Sequence, residues 1–410
     1  MSAKAEKVLI GVTGRMDSAV AAYLLKKQGF EVHAVAVLFH DQTVTDTEEE
    51  TLRIDKDIVQ YGLSDLAKIK KLFDSLEIPF YAVNAQDQYY ALVHDQIVAH
   101  RLMGKFFNAK VVATNILFEI LFQKAEVIKA TSVSTGHYAK LQKNQKTGES
   151  SLFSSPDLDS DQSFLLAGLT SDQLGKLVLP LSDMRKAESM KIAKIMTVEM
   201  EESFKHLNIF EKTNLGEEIE PFIPSSMIIE GEVNLRHDDS IIIEHKGVHH
   251  FFLGQGADNG LDLKRTGNVS ELIVVEINPK TGTVYVEEPK RLYFTHVGLT
   301  SCSFGGGSNS TFPIDVHVQF KEFGERYVAK LYYKNNQTCV LEFSTQQAGM
   351  IPTGTSAVVY SKAAGISRVL ASGKVQDCFH MIKGHARRFA PNNHEDDEEI
   401  EQSLKNQMGF

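Results

Sequence analysis

No run of about 18 apolar residues occurs in the chain, so no membrane-spanning helix is expected. The opening residues, MSAKAEKVLIG, lack the basic flank, long apolar core and small-residue cleavage site of a secretory leader. The expected location is therefore the cytoplasm. Cysteine is scarce: Cys302, Cys339 and Cys378 are far apart and form no CxxC pair. Such spacing predicts scattered reduced thiols and no disulfide. No His/Cys cluster has ligand spacing, so no metal site is expected. Positive charge is also short, with 43 Lys and Arg against 53 Asp and Glu, a net charge of −10 at pH 7. Nucleic-acid binders gain affinity by releasing counterions through Lys and Arg, so this balance argues mildly against a polynucleotide partner. Part of the deficit sits in HEDDEEIE (His394 to Glu401), an acidic tail expected to be solvated and disordered, or to serve as an arm for a protein partner.

What is present is enough chain for two or three domains, since 410 residues exceed one ordinary core. With 42% hydrophobic and 23% charged residues, the composition is that of a globular protein. The first half alternates strand and helix. KVLIGV reads as a buried strand, Ser18 to Gln28 as a helix stopped by Gly29, and EVHAVAVLFH as a second strand, apolar on both faces. SDLAKIKKLFDSLEI carries apolar residues at helical spacing behind Ser64 as N-cap, PFYAVNA is a third strand, and Asn115 to Ala130 a further helix. This alternation predicts a doubly wound α/β domain to about residue 200. From roughly residue 215 the texture changes to short strands, among them MIIEGEV, SIIIEH, HHFFLGQG, LIVVEIN and TVYVEE, with PKTG and DNG as turns. IDVHVQF, YVAKLYY, CVLEF and SAVVYS continue the pattern, predicting a small β-rich domain followed by a barrel or sandwich.

Ligands of an open parallel sheet bind beyond the carboxyl ends of its strands, and GVTGRMDSAV (Gly11 to Val20) begins there. Gly11 and Gly14 permit close backbone approach, while Thr13, Ser18 and the following helix start offer donors to an anion. Asp17 is unsuited to face phosphate and is expected to orient the turn or a metal. The stretch is neither a Walker A loop nor GxGxxG. The paired histidines of VHHFF (Val248 to Phe252) are expected on opposite faces of a strand, as structure and not as a metal site.

Together with STGHYAKL (Ser134 to Leu141) and DLDSDQSFLLAGLTSDQLGKLVLPLSDMRKAE (Asp157 to Glu188), the loop resembles the tRNA-uridine 2-sulfurtransferase (2-thiouridylase) family of PP-loop ATP pyrophosphatases. That family carries SGGVDS, then ATGHY, then KDQS. EHKGVHHFFLGQGADNGLDL is similar to its xHxGLxxYTIGQRxGLGI, and PTGTSAVVYS to its TPGQSAVFY. The resemblance covers about residues 6 to 385. It implies a PP-loop (adenine nucleotide alpha hydrolase-like) domain over 1–205, a small central domain over 206–283, a C-terminal β-barrel over 284–385 and the tail over 386–410. It also implies ATP (with Mg) and tRNA as ligands, adenylation of the wobble uridine oxygen, and sulfur delivery through cysteine persulfide. The nucleotide-binding positions it carries onto this chain are Gly11, Val12, Thr13, Gly14, Arg15, Asp17 and Ser18, with Val37 and Gly136. The RNA-binding positions are His137, Asp161 and Gln162, although His137 fits equally a residue packed at a strand end for shape.

The match breaks at the chemistry. Arg15 stands where the second loop glycine belongs, either blocking close approach to pyrophosphate or contacting an anion in a new way. The family's PNPDxxCN corresponds to NAKVVATN, which puts Val111 at the acid and Thr114 at the nucleophilic cysteine. The persulfide cysteine of STGICFIGE corresponds to Leu207 in SFKHLNIFE. Neither a threonine hydroxyl nor a leucine can carry a persulfide. GQRxG becomes GQGADNG, and the Lys of KDQS becomes Ser160, so expected tRNA-facing cations are missing too. The leading expectation is a degenerate family member that keeps nucleotide or RNA binding or a scaffold role. The alternative is an active ATP-dependent wobble-uridine-modifying enzyme supplied with external sulfur.

Overall fold

The structure, a computed structural model, describes residues 5–39, 63–196, 215–257, 260, 261, 263, 272–305, 312–335, 337–382 and 385–388. Leu207 and the acidic run from His394 to Glu401 lie outside the described residues.

Five parallel strands form the first sheet: β1 (Lys7–Gly11), β2 (Glu31–Leu38), β3 (Phe80–Asn84), β4 (Ser132–Ser134) and, after the hairpin β5 (Lys140–Lys143)/β6 (Ser150–Phe153), β7 (Leu177–Val178). Their order is β3-β2-β1-β4-β7. Helices α1 (Met16–Lys27), α2 (Leu63–Ser75), α3 (Gln86–Tyr89), α4 (Asp95–Leu102) and α5 (Ala109–Ile128) follow the early strands, and α6 (Ser163–Leu166), α7 (Ser171–Lys176) and α8 (Lys186–Ile195) surround β7. Side chains alternate across a strand, and β1 is buried on both faces. Val8 and Ile10 pack with Val20 of α1 and Phe73 of α2, while Leu9 packs with Phe118 and Leu121 of α5. The doubly wound layer expected from the sequence is thus present.

Three helix starts differ from expectation. α1 begins at Met16 and α5 at Ala109, ahead of the expected Ser18 and Asn115, and Ser64 lies inside the first turn of α2. For α5 the cause is local: the Asn108 carboxamide oxygen accepts from Val111 N at 3.2 Å, an N-cap hidden inside the motif segment.

Among the described residues, the second half is all β apart from short helical turns, the first being α9 (Leu215–Ile219). β8 (Gly231–Leu235), β9 (Ile241–His245), β10 (Ile273–Asn278) and β11 (Thr283–Glu287) form a sheet in the order β10-β11-β8-β9. PKTG closes the β10–β11 hairpin with Gly282 at φ +77°, where a side chain would be strained. β12 (Tyr293–Phe304), β13 (Ile314–Gln319), β14 (Tyr327–Asn335), β15 (Thr338–Ala348), β16 (Ser356–Tyr360) and β17 (Val369–Ile382) close into an antiparallel barrel through the β12–β17 pairing, with β18 (His385–Arg388) added to β17. Closure removes the edges that an open sheet would leave unpaired.

HHFFLGQG is not the expected strand. Val248–His250 is a single 3-10 turn, and no strand follows before Gly256. Gly254 takes φ +80°, and Gln255 Oε1 accepts from Phe252 N at 3.1 Å, which folds the segment back on itself.

The barrel packs directly on the α/β domain. Val358, Tyr360 and Val369 belong to the same core as Leu9 and Phe118. Ser154 N donates to Ser367 O and Ser367 N to Ser154 Oγ, both at 2.8 Å.

Candidate nucleotide and RNA site

The loop after β1 is held by its own hydroxyls. Thr13 N donates to Ser18 Oγ at 3.1 Å, Ser18 Oγ donates to Arg15 O at 3.0 Å, and Arg15 N reaches Thr13 Oγ1 at 3.4 Å. Gly14 takes φ +69°, and a Cβ there would lie 2.5 Å from Ile69 Cγ1. Arg15 is the N-cap residue of α1 in extended geometry, and its own side chain makes no capping hydrogen bond. First-turn amides of an uncapped helix are donors for an anion, so the loop fits a phosphate on its backbone.

Gly136 closes the site from β4. A Cβ on it would stand 2.8 Å from Ser18 N and 2.9 Å from the Asp17 carbonyl carbon, so only glycine lets the two backbones meet. Asp17 turns away from the amides: Tyr138 Oη donates to it at 2.7 Å, and Lys186 at the start of α8 forms an ion pair with it. This carboxylate therefore orients the turn. Burial, with Asp17 beside it, pushes the Tyr138 phenol above its usual range. Gly11 approaches Leu121 of α5, and Val12 N donates to Val35 O at 2.9 Å. Val37, at the end of β2, packs in a separate cluster with Ala85 and Tyr89.

The three positions expected at RNA lie around Tyr138. His137 is partly buried; its Nδ1 is 2.8 Å from Thr135 Oγ1, and its ring centroid is 5.9 Å from that of Phe118. Burial, and secondarily Lys110, lowers its pKa to about 4, so the imidazole is neutral at physiological pH. Gln162 Oε1 accepts from Tyr138 N at 3.0 Å. Asp161 is buried, accepting from Ser155 N and from Ser163 N and Oγ, and it pairs with Arg326 of the barrel at 3.1 Å. Burial outweighs these donors and raises its pKa. Arg326 also lies 3.7 Å from the centroid of the Tyr360 ring.

Tyr138, Lys186 and Arg326 carry this geometry, and no pattern in the sequence marks them for it. Lys186 is 169 residues from Asp17 and Arg326 is 165 from Asp161, and no local pattern joins partners so far apart.

At the start of α5, the Thr114 hydroxyl is buried and donates to Lys110 O at 2.9 Å. Val111 borders a cavity of about 470 Å³ between α5, the central domain and the barrel, lined also by Phe106, Phe252 and Glu322. Lys110 forms an ion pair with Glu322 across it. All three cysteines are free and buried in the barrel. Cys302 and Cys339 touch, with sulfurs 3.2 Å apart, a proximity across β12 and β15 that their spacing does not announce. Burial pushes Cys378 up to about 12, and the hydrogen bond with Cys302 raises Cys339. Thiols raised in this way are poor nucleophiles, whereas the same bond lowers the pKa of Cys302.

The histidine pair departs from expectation. On the 3-10 turn the two rings lie 4.3 Å apart, and Glu220 joins them, so the structure does contain a group with metal-ligating donors. A strand would have sent adjacent side chains to opposite faces; a tight turn keeps them together.

A five-stranded parallel sheet with its glycine loop running into α1 defines the class, a PP-loop domain of the HUP type. A family model for the tRNA methyl transferase HUP domain matches residues 6–208. The tRNA-specific 2-thiouridylase MnmA of Clostridium perfringens is 28% identical over 358 residues, spanning 87% of this chain and 95% of that one. MnmA of Clostridium beijerinckii is 30% identical over 304 residues, spanning 73% and 80%, and MnmA of Clostridioides difficile is 27% identical over 359 residues, spanning 87% and 95%. The chain belongs to the tRNA-specific 2-thiouridylase family. Among the described residues, no helix is long and apolar enough to cross a membrane.

Proposed function

We propose that this chain is a nucleotide-binding member of the family that does not carry out cysteine-based sulfur transfer. The observation behind this reading is the start of α5, where a buried threonine hydroxyl, bonded to its own helix, and an apolar Val111 occupy the motif positions of the nucleophile and the acid. The barrel thiols do not replace them, being buried and two of them raised in pKa. ATP is the nucleotide, with Mg accompanying its phosphates; bound there it would offer an activating adenylyl group. The first amides of α1 hold the phosphates, Asp17 fixes the turn through Tyr138 and Lys186, and Gly136 admits the close approach. His137, neutral and partly exposed, is the residue of the RNA set placed to meet a tRNA base, with Gln162 and Asp161 fixing the backbone behind it. The purified chain, given ATP, a sulfur donor and tRNA, is expected to form no 2-thiouridine; robust thiolation would overturn the reading.

One observation favours the alternative of an active ATP-dependent wobble-uridine-modifying enzyme fed by external sulfur: the loop retains its hydroxyls and an uncapped helix. ATP–pyrophosphate exchange in the presence of tRNA separates the two, since turnover belongs to the second alone. Replacing Arg15 by Gly restores the family loop and is expected to tighten ATP binding while thiolation stays absent.

A further inference from the structure

Away from the loop, Glu220, His249 and His250 bring one carboxylate and two imidazoles together, with ligand atoms all within 4.8 Å of one another. Glu220 begins a 3-10 turn directly after α9, and the histidines share the turn Val248–His250. His249 Nε2 lies 3.6 Å and His250 Nε2 3.7 Å from Glu220 Oε2. These separations are too long for good hydrogen bonds. They are close to the spacing of about 3.3 Å between donors on one tetrahedral zinc ion with bonds near 2.0–2.1 Å.

A second observation is independent of the spacing. His249 is 1% exposed, and both of its ring nitrogens are buried without a hydrogen-bond partner. Leaving such an atom unsatisfied costs about 1–3 kcal/mol, and native proteins rarely tolerate it without a ligand or water. The backbone is also shaped around these rings. A Cβ on Gly247 would stand 2.3 Å from His249 Cε1, and one on Gly216 would stand 2.2 Å from His250 Nδ1. Each ring therefore fits only because a glycine faces it.

The charge balance permits a cation. Arg101, a buried guanidinium on α4, opposes one, but the carboxylates of Glu220 and Glu217 both act on His250 with the opposite sign. Two imidazole nitrogens and a carboxylate oxygen suit a borderline divalent ion of the first row, zinc above all, with the fourth position left to water.

We propose that Glu220, His249 and His250 form a mononuclear Zn2+ site. The ion joins the segment after α9 to the turn of the central domain, against which α4 packs. Its role is to fix that junction, apart from any chemistry at the glycine loop.

The test uses the full-length chain stripped with a chelator and titrated with Zn2+ against a chromophoric competitor, with Co2+ as a spectroscopic substitute. One equivalent is expected to bind, to give the visible bands of a tetrahedral Co2+ centre, and to raise the melting temperature. Glu220→Gln is conservative at a partly exposed position and keeps the fold; it and His250→Gln are each expected to weaken binding at least about 10-fold, a loss comparable to that from disturbing a ligand's support. His317→Gln, on the barrel, is expected to leave the affinity unchanged. Zinc affinity equal in the wild type and Glu220→Gln, or a Co2+ spectrum no different from the ion in buffer, would overturn the site.

Discussion

Gly136 and His137 are neighbours with opposite sensitivities. Gly136→Ala places a methyl against the Ser18 amide and the Asp17 carbonyl carbon, backbone that has no room to yield. Overpacking of this kind costs about 1–3 kcal/mol, and a denaturant titration should show that loss together with weaker ATP binding. His137 acts through pH. Its folded pKa of about 4 lies below the ordinary 6.5, so between those values the unfolded chain binds the proton and the folded chain does not. Stability is therefore full above pH 6.5 and falls as pH drops toward 4. His137→Asn is expected to flatten that acid slope. An unchanged slope in thermal melts from pH 7 to 4 would sink this assignment.

Elements decide how the two halves hold together. The Asp161–Arg326 pair joins the segment before α6 to the β13–β14 turn of the barrel, and each side chain is 8% exposed. Removing one partner of a buried ion pair leaves an uncompensated charge, at a cost of about 3–5 kcal/mol, whereas removing both costs less. Arg326→Met should show that loss in equilibrium unfolding, and the double change with Asp161→Asn should recover part of it. Additive losses would mean that the pair is not coupled. At this same scale the strand–helix alternation was legible early, because buried parallel strands read as apolar runs and amphipathic helices keep their period. HHFFLGQG departs from a strand because an apolar run cannot announce a positive φ at Gly254 or a side-chain bond to Gln255.

At the scale of the whole molecule, the charge balance bears on tRNA binding. A net charge of −10 weakens the counterion release that drives tRNA binding, so affinity is expected to be lower, with a shallower salt dependence, than for a basic relative. Filter binding of tRNA over a salt series, run beside a thiolating family member, would read both; an equally steep slope would contradict this. The sequence by itself determined the α/β layer, the β-rich second half and the family, since all of these follow from local periodicity and ordered motifs. Only the tertiary structure decided that Asp17 is held by Tyr138 and Lys186, that Asp161 anchors the barrel, that Thr114 is bonded to its own helix, and that two histidines and Glu220 share one place. Each of these depends on where a side chain points or on partners brought from distant parts of the chain, and no local pattern in the residues encodes either.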